Sequence, residues 1–515
     1  LPYFLGIDVG TSALKTLLIS DEGKVISSAS VDYPLLTPRP NWAEQDPAIW
    51  WDAAVRAAKE CLGRGKEVVG DSLVVEALGL SGQMHGSVFI NGEGGVLRPA
   101  ILWCDQRTEE QCGEINDKLG FNKLIGITGN RAVAGFTAPK ILWLRRNEPE
   151  IYRQVEKVLL PKDYIRYKLT GEFATEVSDA SGTLLFNVKE RKWSEEMLDT
   201  LDIPRRWMPD CYESTKISGC LSKKGAIALG LPEGIPVVGG GGDQAAGAVG
   251  NGIVVPGAVS CVLGTSGVVF WHSEEPLYDT RGRLHAFCHA VPGKWHLMGV
   301  TLSAGGSLKW FKDNLCPEEI EEARRKGVSA YQVIDEKAEA VDPGCEGLLF
   351  LPYLAGERTP YADASARGAF VGLSLRHSRA HMARSVMEGV SMSLKDCLEL
   401  GRECGVEAHR LYLSGGGARS PLWRQIAADI WEKEINVVGA NEGPAFGAAI
   451  LAAVGVGVYQ SVEDACNRMV ATEFAGNPLP ENLDLYRDIY QLFRPMYSSL
   501  KDFFMNNRKI LEKHY

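Results

Sequence analysis

Two strand–turn–strand units of nearly the same composition lie about half a chain apart, and they restrict the fold more than any other feature of the 515 residues. In the first, an apolar run at residues 3–7 enters Asp8-Val9-Gly10-Thr11-Ser12, and a second apolar run follows at 14–19. In the second, residues 259–263 enter Gly264-Thr265-Ser266-Gly267, and residues 268–271 follow. Short apolar runs divided by Gly, Thr and Ser predict hairpins. A turn at residues 21–24 and a third apolar run at 25–31 extend the opening into a meander. The recurrence predicts two domains of similar build, and the length accommodates two large cores.

Between these units the period changes. Asp46 and Pro47 read as the cap and first position of a helix, with Trp50, Ala53, Ala54, Ala57 and Cys61 on one face. Residues 74–80 read as a strand ending in Ser81-Gly82-Gln83-Met84-His85-Gly86. Helices are expected near 138–146 and 163–169. A strand at 411–413 leads into Ser414-Gly415-Gly416-Gly417-Ala418-Arg419 and a helix with Ser420 as cap. The stretch 381–404 places Met382, Val386, Val390, Leu394 and Cys397 on a helical face, and the chain after Pro478 reads as helical. Strands alternating with helices define an α/β protein.

Composition narrows the function classes. The chain is 45% apolar and 23% charged with a net charge of −10 and no long like-charge block. A basic stripe for nucleic acid or an anionic membrane is missing, so neither is an expected partner. The 12 cysteines are scattered, Cys397 and Cys404 being the closest pair, which predicts a reduced, cytoplasmic protein. Residues 1–10 carry Asp8 and no basic flank, so no signal peptide is expected there. The apolar helical run at 445–459 is too short to span a bilayer. His285, Cys288 and His289 could bind a metal, against the plainer reading of a strand with core side chains.

The glycine run at residues 237–251, VVGGGGDQAAGAVGN, is the most unusual stretch. Gly239 to Gly242 allow backbone to pass close to another group, and Asp243 is the one charge in the run. An acid in that setting is a candidate general base. The competing reading is a hinge whose Asp caps a helix beginning at Ala245. Neither GxxxxGK[ST] nor GxGxxG occurs, so the P-loop and dinucleotide fingerprints are excluded. The two hairpin turns and the GGG loop remain. Their amides and hydroxyls suit phosphate oxygens, and a helix opening after a glycine loop suits a nucleotide.

With those loops in view, the chain is identified as a member of the FGGY carbohydrate kinases within the actin/Hsp70 superfamily. Asp8-Val9-Gly10-Thr11-Ser12 resembles the first phosphate loop of that superfamily. Residues 135–144, GFTAPKILWL, resemble one family signature. Gly368-Ala369-Phe370-Val371-Gly372-Leu373, with His381-Met382 and Ser385-Val386-Met387-Glu388, resembles the other. SGQMHG, RPAILWCDQR, LLPKDY, LGTSG and LPYLAGERTP add to the match, which runs to about Gly447.

The resemblance implies two ribonuclease-H-like domains, 1–245 on the sugar side with the first phosphate loop and 246–515 on the nucleotide side, with an interdomain cleft. It implies transfer of the ATP γ-phosphate to a primary hydroxyl of a ketopentose. It points to Asp243 as the base and to Asp8 as a second essential acid, both near Mg²⁺. It points to Met84, His85, Trp103, Asp243 and Gln244 around the sugar. Thr11, Ser12, Lys15, Gly264, Thr265, Ser266, Gly305, Gly416, Gly417 and Ser420 are implied around the nucleotide. Relatives that bind glycerol carry an Arg-Glu pair near Met84-His85, and its absence here argues against glycerol.

The residue chemistry supports the same roles independently. A sugar hydroxyl attacks well only as its proton is taken, and a carboxylate within hydrogen-bond reach can take it. ATP brings about four negative charges, so a Mg²⁺ ion must bridge its phosphates. Asp8, at a strand end beside two hydroxyls, could hold that ion, or could make only an Asx turn. Taken alone, His85 reads as a core histidine, and Trp103, Asp105 and Arg107 could close the sugar pocket. The expected partners are therefore a sugar and ATP, with a homodimer as the one assembly entertained. The alternatives are a kinase for ribulose, fuculose or gluconate, and an actin-like nucleotide-driven clamp without an acceptor sugar.

Overall fold

The computed structural model of the chain describes residues 2–439 and 443–514, with Asp71 by its backbone alone. Two compact units emerge. The first comprises Leu1–Pro256, His272–His296 and Ala440–Ala471; the second comprises Gly257–Trp271, Leu297–Gly439 and Thr472–Tyr515.

The sheet of the first unit has the strand order Ile217–Cys220, Pro236–Val238, Val75–Gly82, Tyr3–Val9, Ala13–Ser20, Val25–Asp32. The last three form the expected antiparallel meander, while Tyr3–Val9 pairs in parallel with Val75–Gly82. Gly241–Gly242 adds to the far side of Val75–Gly82, also in parallel. The helix Pro47–Val69 begins where expected, with Asp46 Oδ1 accepting from the Ala48 amide at 2.9 Å. Its buried face carries Trp50, Ala53, Ala54, Ala57 and Cys61.

The other face of that sheet is covered by the helix Pro444–Gly455, which lies almost on the strands. A Cβ built on Gly6 would fall 1.9 Å from the Ala445 carbonyl oxygen, and one on Gly79 1.9 Å from that of Ala448. The same helix meets Asp243–Gly250, where a Cβ on Gly447 would fall 1.8 Å from the Ala246 oxygen. These contacts seat the helix that carries Asp243 on the helix Pro444–Gly455, which itself lies on the sheet.

In the second unit the strand path is Trp295–Thr301, Gly267–Ser273, Ala258–Leu263, Arg410–Ser414, Ile435–Val438, Thr472–Gly476. A hairpin, Ala258–Leu263 with Gly267–Ser273, again pairs in parallel with the next strand inward. That repeats the pattern of the opening hairpin beside Val75–Gly82, so the hairpins occupy equivalent positions in two sheets of ribonuclease-H-like order. The helix Arg379–Glu403 buries Val386, Val390, Leu394 and Cys397 as expected, and Pro480–Phe493 and Met496–His514 complete the unit. Among the described residues, no helix is long and apolar enough to cross a membrane.

Candidate active site

In the first unit, strand register brings the two acids to one edge of the sheet. Ser81 pairs with Asp8 on one flank and with Gly241 on the other. Neighbouring strands lie about 4.8 Å apart, so Asp8 and the residues leading to Asp243 stand roughly 10 Å apart across one strand. All three strands are parallel here, and their carboxyl ends share an edge, the usual place for a ligand in an α/β sheet. The middle strand runs on into Gln83, Met84 and His85.

Asp8 and Asp243 keep one side open but are set deep. Loss of hydration pushes the Asp8 carboxyl up to about 6, with the Ser81 hydroxyl and the Lys15 ammonium pulling it down. Lys15 is its cross-strand neighbour. Asp243 is pushed up to about 7 by burial and then by the charge of Asp8, against the Gln244 amide, which donates to its Oδ1 at 2.7 Å. Asp8 Oδ1 is a buried oxygen without a hydrogen-bond partner among the described residues. The helix begins at Asp243 with Gly242 as its N-cap, rather than at Ala245 with Asp243 as the cap. The acid therefore lies inside the first turn, not at the cap of a helix beginning at Ala245.

Two glycines make room for Met84 and His85. A Cβ on Gly242 would lie 2.9 Å from Met84 Cγ, and one on Gly182 would lie 2.7 Å from the His85 ring. Met84 is buried, while His85 is half-buried with φ +67. Its ring stacks on Phe136 at 4.2 Å, and its Nδ1 lies 2.6 Å from the Gly182 carbonyl oxygen. Its own carbonyl accepts from Lys140 Nζ at 2.8 Å and from Thr137 Oγ1 at 3.2 Å. Burial lowers Lys140 to about 7. Gln83, Gly182 and Lys140 were not singled out by sequence reasoning, although GFTAPK contains the lysine.

The first loop is pinned from several directions. Trp103 Nε1 donates to Thr11 Oγ1 at 2.9 Å, Tyr33 Oη to the Gly10 carbonyl at 2.6 Å, and Gln45 Nε2 to the Thr11 carbonyl at 2.7 Å. Ser12 is exposed at the turn, and the Trp103 side chain is 40% exposed. Asp105 and Arg107 form a buried pair at 2.6 Å, with Asp105 accepting from the Ala43 amide and Arg107 lying 3.5 Å over the Trp42 ring.

The second unit holds a separate cavity of about 780 Å³. Gly264, Thr265, Gly305, Gly416, Gly417 and Ser420 line it together; Ser266 does not. Ser420 Oγ caps the helix Pro421–Trp431, accepting from the Trp423 amide at 3.0 Å. The Gly305 amide donates to the Gly264 carbonyl at 2.7 Å, which ties the hairpin turn to the helix Gly305–Leu315. One wall, absent from the sequence expectations, comes from the helix Ala330–Glu339 through Tyr331, Gln332 and Asp335. Its amphipathic pattern is that of any surface helix. Glu357, in LPYLAGERTP, accepts from Thr301 Oγ1 at 2.6 Å and from the Leu302 amide at 3.1 Å, bracing the segment that leads to Gly305. Burial pushes it up to about 7.

The His285, Cys288 and His289 side chains take different partners: Asn130 Oδ1, the Val188 carbonyl and the Ile253 carbonyl. The segment forms the strand His285–Cys288. Among the described residues, no group of three or more His, Cys, Asp or Glu is arranged to hold a metal ion.

Residues 3–250 match the N-terminal domain of the FGGY family of carbohydrate kinases, and residues 259–456 match its C-terminal domain. A xylulose kinase of Escherichia coli (strain K12) is 41% identical over 498 residues, covering 96% of this chain and 99% of the relative. A xylulose kinase of Bacillus subtilis (strain 168) is 39% identical over 500 residues, 97% of each chain. The crystal structure of xylulose kinase from Rhodospirillum rubrum superposes with a TM-score of 0.90 at 30% identity, covering 98% of this chain and 100% of that one.

Proposed function

This chain belongs to the FGGY family of carbohydrate kinases, a family of sugar-phosphorylating enzymes that use ATP, and we propose that its acceptor is the C5 hydroxyl of D-xylulose. The product is D-xylulose 5-phosphate, and the setting is D-xylose catabolism. The observation that carries the reading is Asp243: a carboxylate with raised proton affinity, in a glycine-formed recess beside Met84. The names of the relatives, at about 40% identity over nearly the whole chain, support the sugar.

In this reading Asp243 accepts the hydroxyl proton as the oxygen attacks the γ-phosphorus. A base with a value near 7 is half ionised at neutral pH and still binds the proton well, which suits general-base work. His85 and Met84 hold the sugar, one by hydrogen bonds and the other against a C–H face, with Gln244 and Trp103 beside them. Thr11, Ser12 and Lys15 face the transferring phosphate. Gly264, Thr265, Gly305, Gly416, Gly417 and Ser420 cradle the rest of the nucleotide, with Ser266 in a supporting turn. Residues 1–245 carry the sugar side and the first phosphate loop, and residues 246–515 the nucleotide side.

The acids fit Mg²⁺. The buried, unpartnered Asp8 Oδ1 and the neighbouring Asp243 offer one or two carboxylates, and Mg²⁺ takes its remaining ligands from water and phosphate oxygens. When bound, Mg²⁺ would neutralise charge on the transferring phosphate. All 12 cysteines are free thiols, which supports a cytoplasmic location. A homodimer is the assembly we carry forward, to be checked by sedimentation.

A coupled ADP-release assay over D-xylulose, ribulose, fuculose, gluconate and glycerol tests the reading. D-xylulose should give the highest kcat/KM. Faster turnover of another member would reassign the substrate, and slow ATP hydrolysis indifferent to all of them would indicate a clamp.

A further inference from the structure

Behind the glycine run lies a group of buried ions that no step of the proposed reaction uses, and we propose that it is a positioning device for Asp243, acting through the backbone of residues 238–242. The inference rests on Asp243 being the base.

Lys162, Asp163, Arg166, Glu176 and Asp179 have fully buried side chains. Lys162 Nζ lies 2.8 Å from Asp163, 2.9 Å from Asp179 and 3.4 Å from Glu176. Three acids face two bases, and burial holds Asp179 well above the usual carboxylate range against the pull of Lys162. Such clusters are expensive. Each dry ion costs several kcal/mol in lost hydration, and apolar residues of similar volume often do as well.

This cluster grips the glycine run on both sides of its bend. Arg166 Nη1 donates to the Val238 carbonyl at 2.7 Å, and its Nη2 to the Gly239 carbonyl at 2.5 Å. Past the bend, the Gly242 amide donates to Ser178 Oγ at 3.0 Å, and that hydroxyl donates to Glu176 Oε1 at 2.9 Å. Between the two grips, Gly240 has φ +73, and a Cβ there would fall 1.9 Å from the Leu80 carbonyl oxygen. Only glycine fits that bend. Asp243 is the residue after Gly242, so its place is inherited from two carbonyls and one amide that a single ionic cluster holds. A planar guanidinium suits the first grip because it spans two carbonyls at fixed geometry.

Proton transfer tolerates little displacement; a misplacement of about 1 Å can cost roughly 100-fold. Ser178→Ala removes one grip and leaves every ion paired. Measured per folded enzyme, its kcat should fall about 10- to 100-fold, while KM for D-xylulose and Kd for ADP stay within about 2-fold. Arg166→Lys keeps the charge but loses the fork, and should show the same split; it also serves if Ser178→Ala does not fold. A merely structural role would lower Tm without this split. Wild-type kcat in folded Ser178→Ala or Arg166→Lys would overturn the inference, as would equal damage to kcat, KM and Kd. Asp243→Asn, assayed in parallel, separates the two levels. If it is inactive while Ser178→Ala is fully active, only the positioning inference falls; if it retains wild-type kcat, the base assignment falls and takes this inference with it.

Discussion

The negative charge of Asp8 helps hold the proton on Asp243. The two stand on either flank of the strand that ends at Gly82, and Asp243 is raised to about 7 by burial and by that charge. Because kcat/KM reports groups of the free enzyme, its acidic limb should fall near pH 7 rather than near 4. A pH profile at subsaturating sugar checks this. An acidic limb below about pH 5 would mean that Asp243 is ionised far more readily than its setting implies.

The same shift has a consequence for stability. An unfolded Asp loses its proton near 3.8, whereas folded Asp243 keeps it to about 7. Across that window the folded chain binds more protons, so its stability falls as pH rises. Asp8, Asp396 and Glu357 act in the same sense. Asp243→Asn should flatten, not abolish, the decline between pH 5 and pH 8. The flattening should be up to a few kcal/mol. Urea denaturation of ligand-free protein at the two pH values measures it, and an unchanged slope would count against the raised value.

Asp243→Asn is also the sharpest test of chemistry. Asn keeps the shape and an oxygen for the Gln244 amide but accepts a proton poorly. The expected loss in kcat is roughly 10²- to 10⁴-fold, with ADP binding preserved because the cavity glycines proposed to hold the nucleotide lie in the other unit. If Asp243 served only the helix N-terminus, Asn would do nearly as well there.

Much of this arrangement is legible in the sequence. Hairpins, caps and the acid after the glycines follow from local rules: apolar runs, Asp46 and Ser420 before prolines, small residues at close approaches. What local rules miss is which charges end up dry. Lys162 and Arg166 lie on an ordinary-looking helix, Pro161–Thr170, and their burial is made tolerable by Asp163 on the same helix together with Glu176 and Asp179 beside Lys162. Asp105 and Arg107 show the converse. Read as pocket residues, they are spent on each other beneath Trp42, because a pair two residues apart can close on itself. The wall formed by Tyr331, Gln332 and Asp335 was invisible for a third reason: its pattern carries no chemistry until a cavity faces it.

His85 is expected to govern sugar use alone. Its left-handed backbone is uncommon for any residue but Gly, though Asn, Asp and His adopt it more readily than most. His85→Ala loses the Phe136 stack and a hydrogen-bonding ring, and should raise KM for D-xylulose at least about 5- to 10-fold, the worth of one hydrogen bond or slightly more. Kd for ADP should stay put. His85→Asn tolerates the backbone and keeps a polar group, so it should be milder. Equal loss of sugar and nucleotide binding in His85→Ala would make the residue structural.

Two glycines of the second unit should fail in different ways. At Gly305 a Cβ would fall 2.6 Å from the Gly264 carbonyl oxygen, a backbone atom that cannot step aside cheaply. Gly305→Ala must therefore push the hairpin turn off the helix Gly305–Leu315, and it should lower Tm by several degrees, as a strained substitution costing about 1–3 kcal/mol would. At Gly416 no atom lies within 4 Å of the added Cβ, and the residue lines the cavity. Gly416→Ala should therefore leave Tm unchanged. Its methyl instead stands where a phosphate would approach the backbone, so calorimetry with ADP should show affinity reduced roughly 10-fold, as loss of one close contact to a charged group implies. If both variants lose stability and neither loses affinity, the cavity is not where the nucleotide binds. If Gly416→Ala alone weakens ADP at constant Tm, the open side of that glycine is the side the phosphates use.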